Sequence, residues 1–168
     1  MSDFSTIILI LLTSTIRMST PITLAAIGGA FSARTGTMAL GLEGFMLMGA
    51  WGAAFGSYLF QNAFAGLAMG ILVSMLVSFL FGIFTINFRV NQVICGIGFN
   101  MFASGFTAAM TQMVWGTRAN SAEVAVLPKI SIPVLGDMSI LIPVMLVIVF
   151  ASWYYLFRTP QGLRMRVV

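Results

Sequence analysis

Five apolar runs constrain this chain more than any other feature it has. They cover residues 4–31, 38–60, 63–86, 93–114 and 139–157. Each is near or above the roughly 20 residues that an α-helix needs to cross the hydrocarbon of a bilayer. Composition decides between a soluble core and a membrane. Hydrophobic residues make up 60% of the 168, charged residues 7%, and the mean hydropathy is +1.04. A soluble domain carries about 25% charged residues, so this chain could not cover its own surface in water. The sequence predicts an all-α fold: a polytopic transmembrane helical bundle of about five spans, in one domain over residues 1–168.

Two places should interrupt helices. Pro21 lies inside the first run and lacks a backbone donor, which predicts a kink or break there. Gly41 and Gly44 open the second run, with Gly36 just before it, and each helical glycine costs about 1 kcal/mol relative to alanine. Between runs two and three only Gln61 and Asn62 remain, which predicts a tight helical hairpin. The longest polar segment, 115–138, carries both charge signs, Pro128 and Pro133. Two short β-prone runs flank Lys129 in it, so it reads as an ordered extramembrane loop holding a short helix or a strand pair. Asp3, with no Lys or Arg before the first run and no clear cleavage site after it, argues against a cleaved signal peptide.

The few charges set orientation. If every run crosses once, "FSARTG", "NFRVNQ" and "FRTPQGLRMRVV" share one face, with Arg34, Arg89, Arg158, Arg164 and Arg166 and no acid. The other face holds Arg118 and Lys129 against Asp3, Glu123 and Asp137. The positive-inside rule then places the N-terminus outside and the C-terminus in the cytoplasm.

Much chemistry is missing. The sequence has no histidine, hence neither a zinc protease motif nor a Ser–His pair. Its one lysine, Lys129, follows Pro128, so no phosphate-binding loop of the G-x-x-x-x-G-K-[ST] type exists. The spans contain one acid, too few for an aspartyl dyad. No metal, cofactor or nucleic-acid site is expected, and any ATP used must be hydrolysed by a partner. Cys95, alone in an apolar run, is expected to pack rather than react.

That leaves the intramembrane polar groups, which are functional candidates by default. Glu43 is the only charge between Arg34 and Arg89. It either reaches the headgroups or pairs with Arg17 or Arg34, or else it lies beside a translocation path. In the latter case it accepts hydrogen bonds from substrate or organises a helix break among its glycines. Arg17 is expected to be structural, buried against Glu43 or against carbonyls freed by Pro21. Asn100 can bond a neighbouring helix or a ligand. The pairs Gly52-x-x-x-Gly56 and Gly66-x-x-x-Gly70 predict close helix packing.

The stretch "TPITLAAIGGAFSARTGTMALGLEGFMLMGAWGA", residues 20–53, resembles the N-terminal signature of ABC importer permeases for nucleosides. These sit within the larger group for simple sugars and branched-chain amino acids. "NQVICGIGFNMFASGFT", residues 91–107, resembles that family's fourth-span motif, with Asn100 in it. "FRTPQGLRMRVV" resembles the start of its cytoplasmic coupling segment. The resemblance implies that the chain covers the N-terminal half of a longer pattern, as a piece of a longer product or as a truncated frame. It implies an inner-membrane subunit that conducts substrate by alternating access. Implied partners are an ABC ATP-binding subunit, a second permease subunit and an extracytoplasmic substrate-binding protein, besides the lipid bilayer.

Carried onto this sequence, the expected substrate pathway comprises Glu43, Gly41, Gly44, Phe45, Phe99 and Asn100, with the two rings stacking on a nucleobase. The expected coupling residues are Thr159, Pro160, Gly162, Leu163, Arg164 and Arg166. The alternatives are a sugar or branched-chain amino acid permease, a non-transporting membrane remnant and, with only Glu43 to support it, an ion channel.

Overall fold

A computed structural model describes residues 2–117, 129–132, 136–160 and 162. Among the described residues five helices carry the fold: α1 (Ser2–Arg34), α2 (Leu42–Phe60), α3 (Ala63–Gly82), α4 (Gln92–Trp115) and α5 (Leu141–Arg158). A π-helical turn, Ile83–Asn87, prolongs α3. Two short strands, β1 (Lys129–Ile132) and β2 (Gly136–Ser139), pair antiparallel with Lys129 opposite Ser139. The run after Lys129 thus forms one strand of a pair, with 136–139 as its partner, while the run before Lys129 lies outside the described residues. Four of the described helical stretches are long and apolar enough to cross a membrane: 10–34, 63–87, 92–115 and 141–158. The chain is a multi-pass membrane protein. By the same measure α2 falls short, because Glu43 and four glycines dilute its 19 residues.

The helices fall into two compact units, 1–36 with 127–168 and 37–126. In the first, α5 and β2 lie against α1, and the Phe31 and Tyr155 rings meet at 6.0 Å between centroids. The interruption expected near Pro21 is absent, since α1 is helical from end to end. One proline deletes one donor, here the partner of the Arg17 carbonyl, and transmembrane helices tolerate such a loss. The neighbouring hydroxyls serve other carbonyls: Thr20 donates to Ile16 at 2.9 Å and Thr23 to Ser19 at 2.8 Å. Arg17 lies exposed one turn before the proline.

The second unit is the α2–α3 hairpin with α4 packed on it. Gln61 ends α2 in the left-handed region, at φ 50°. Asn62 then caps α3, its side chain accepting the Phe64 N–H at 3.0 Å. The helices touch through their backbones. A Cβ on Gly66 would lie 2.7 Å from the Ala53 carbonyl oxygen, and one on Gly70 would lie 2.8 Å from that of Gly49. In lipid no hydrophobic force drives helices together, so such close approach supplies much of the attraction. Gly52 and Gly56 face these two from α2, as the spacing predicts. Met48, Val77 and Ala103 form the core, with Phe45, Val73, Phe99 and Phe106 packed around them. Cys95 is buried and free on α4.

Candidate functional site

The site grows from the way α2 starts. The expected interruption around Gly41 and Gly44 is not a break within a helix. Instead α2 begins at Leu42, four residues later than the apolar run, and residues 37–41 are irregular. The first N–H groups of any helix lack partners within it, and a side-chain cap usually serves one of them. Gly41, at the cap position, has none to offer. The service comes from α4. Asn100 accepts the Gly44 N–H on Oδ1 at 2.8 Å, and its Nδ2 donates to the Leu40 carbonyl at 3.4 Å.

This bridge fixes the identity of Gly44. A Cβ there would sit 2.9 Å from Asn100 Oδ1 and 3.0 Å from the Phe99 carbonyl oxygen. Gly41 and Gly44 are both buried. Phe45 and Phe99 are half-buried beside them, and both meet the buried Phe81 edge-on, at centroid distances of 5.5 and 5.6 Å. The structure therefore brings together Gly41, Gly44, Phe45, Phe99 and Asn100. Glu43 shares their helical turn but points elsewhere and is exposed. As an acid in the first turn it is favourably placed against the helix dipole, worth about 0.3–1 kcal/mol at an exposed site.

Sequence reasoning missed two residues here. Gln92 accepts the Met38 N–H at 2.8 Å, and buried Gly96 lies under Leu40. The four-residue spacing Gln92–Gly96–Asn100 was the available signal, because it puts all three on one helical face.

At the end of α5 a second local device is complete. Thr159 is extended (φ −100°, ψ 149°), as a residue before proline tends to be. Its hydroxyl donates to the Tyr155 carbonyl at 2.6 Å and accepts the Gly162 N–H at 3.2 Å. Thr as cap and Pro as first residue are what a helix start favours, and Pro160 and Gly162 are helical. A Cβ on Gly162 would run into the Tyr155 carbonyl. Leu163, Arg164 and Arg166 lie outside the described residues.

Residues 11–168 match the family described as branched-chain amino acid transport system / permease component. The chain belongs to this family. Among similar proteins, the guanosine ABC transporter permease protein NupQ of Bacillus subtilis is 33% identical over 99% of this chain and 57% of its own length. The nucleoside ABC transporter permease protein NupC of Lactococcus lactis is 32% identical over 89% of this chain and 52% of its own. A Haloferax volcanii protein, provisionally named a glucose ABC transporter permease, is 26% identical over 94% of this chain and 51% of its own. The permease chain spans about half the length of the curated relatives it matches. No solved structure gives a significant match.

Proposed function

We propose that this chain contributes the membrane pathway of an ATP-driven importer for nucleosides, with ATP hydrolysed by a separate subunit. The observation that carries the reading is its similarity, over most of its length, to two permeases named for guanosine and nucleosides. The site's chemistry suits that substrate class. The half-buried rings of Phe45 and Phe99 offer apolar surface to a base, beside the helix start that the Asn100 amide holds. Glu43 opens the same helix, with room to accept hydrogen bonds. The whole of residues 1–168 is one permease domain in this reading, with the 115–138 loop outside and Arg17 a structural charge in the membrane.

The remaining assignments follow from the reading. Substrate crosses by alternating access after delivery by an extracytoplasmic binding protein, through a pair of permease subunits in the inner membrane. The C-terminus faces the cytoplasm, and the corner made by Thr159, Pro160 and Gly162 begins the surface that meets the ATPase, continued by Leu163, Arg164 and Arg166. The test is ATP-dependent uptake by the assembled transporter of labelled guanosine, with ribose and leucine in parallel. Preference for guanosine supports the reading. Equal uptake of all three removes the nucleoside assignment. Preference for ribose would favour the second reading, a simple-sugar permease, which the relative named for glucose supports.

A further inference from the structure

Three positions on α4 meet the irregular segment before α2, running in the same direction along both segments. Gln92 holds the Met38 N–H. Gly96 leaves room for Leu40, for a Cβ there would lie 2.7 Å from the Leu40 Cβ and 2.9 Å from its carbonyl carbon. Asn100 holds the Leu40 carbonyl and the Gly44 N–H. The three are one turn apart, so the row covers about 12 Å of α4 at 1.5 Å per residue. Residues 38–41 turn tightly beside it, with the Leu40 N–H donating to the Met38 carbonyl at 2.9 Å.

Backbone groups that leave a helix need other partners. Both amides therefore spend their polarity on backbone more than fifty residues away in sequence, rather than on a local turn. Glu43 follows immediately, on the first turn of α2. Exposed as it is, it takes its position from that turn.

We propose that Gln92, Gly96 and Asn100 form a seat on α4 that holds residues 37–41, and that Gln92 and Gly96 are positioning residues for the presentation of Glu43 in import. This rests on the placement of Glu43 beside the pathway. Neither Gln92 nor Gly96 needs to touch substrate, because they act through the backbone they hold.

The experiment uses the assembled transporter in lipid nanodiscs and proteoliposomes, with Gln92→Leu, Gln92→Glu, Asn100→Leu and Glu43→Gln beside the native chain. Amide hydrogen exchange is followed for the peptide covering 37–44, and guanosine uptake is measured on the same preparations. Losing one hydrogen bond should speed exchange at Met38 in Gln92→Leu by about tenfold, with a comparable drop in uptake rate. Gln92→Glu, which keeps an acceptor, should restore both. A general folding defect would speed exchange across α3 as well, so protection there must stay native. Unchanged exchange at 37–44 in Gln92→Leu overturns the seat, and so does faster exchange with native uptake. Native uptake by Glu43→Gln beside a loss in Gln92→Leu supports the seat and fells the Glu43 reading alone.

Discussion

Asn100 and Glu43 illustrate how differently two polar residues in one small region can be employed. Asn100 has both ends of its amide engaged by backbone, so its removal leaves the Gly44 N–H and the Leu40 carbonyl without partners. We expect Asn100→Leu to lower stability by about 1–3 kcal/mol, the usual penalty for stranding a part-buried polar group, read as an earlier unfolding transition in detergent. Glu43 is exposed, and its replacement strands nothing. Glu43→Gln should therefore insert and fold normally while uptake collapses by tenfold or more, roughly the loss of one charge-assisted hydrogen bond at a transition state. Native uptake in that variant would leave Glu43 with only its contribution to the helix dipole.

At the scale of elements, the glycine contacts between α2 and α3 should be the least forgiving part of the membrane core. Gly66→Leu places a branched side chain where the Ala53 carbonyl already sits. Forced overpacking costs about 1–3 kcal/mol or more, and backbone on both sides gives it nowhere to relax. The variant should fail to yield a monodisperse protein, whereas Gly98→Leu, at a glycine with nothing nearby, should purify like the native chain. The α5 corner makes a separate prediction. Gly162→Ala should leave insertion unchanged and weaken co-purification with the ATPase, and undiminished capture would remove this corner from the coupling surface.

Much of this architecture was legible in the residues. The approximate places of the five helices, the Gln61–Asn62 hairpin and both glycine pairs follow from hydropathy and spacing, because each depends on local chain chemistry. What was not legible depends on distant partners. Whether Pro21 breaks α1 rests on whether the turns on either side hold across one missing donor, and they do. Whether α2 starts at 38 or at Leu42 depends on amides more than fifty residues away, and a pattern read along the chain does not reveal which remote side chain will reach across. Gln92 escaped notice because it stands at the edge of an apolar run, where a polar residue attracts no suspicion.

For the molecule as a whole, residues 11–168 belong to one permease family, and the described helices include four apolar stretches able to span a bilayer. If the importer reading is right, tagged chain purified from native membranes brings an ATP-binding subunit with it, and guanosine uptake stops when that subunit's hydrolysis is blocked. ATP-independent, ohmic current through the same preparation would point to a channel and sink the importer.

The backbone contact between α2 and α3 has a mechanical consequence. Helices separated by side chains can slide, as rotamers change and the surfaces re-mesh. Helices whose main chains meet at Gly66 and Gly70 have no such bearing. They form one stiff lever, and strain applied to it is passed to its ends. The Gln61–Asn62 turn closes one end; at the other the chain enters from the segment that α4 grips at Met38 and Leu40 and leaves through the π-helical turn leading to Arg89, whose own backbone sits at φ 52°. Pivoting, if this unit changes shape, belongs at that entry and that exit and not along the lever.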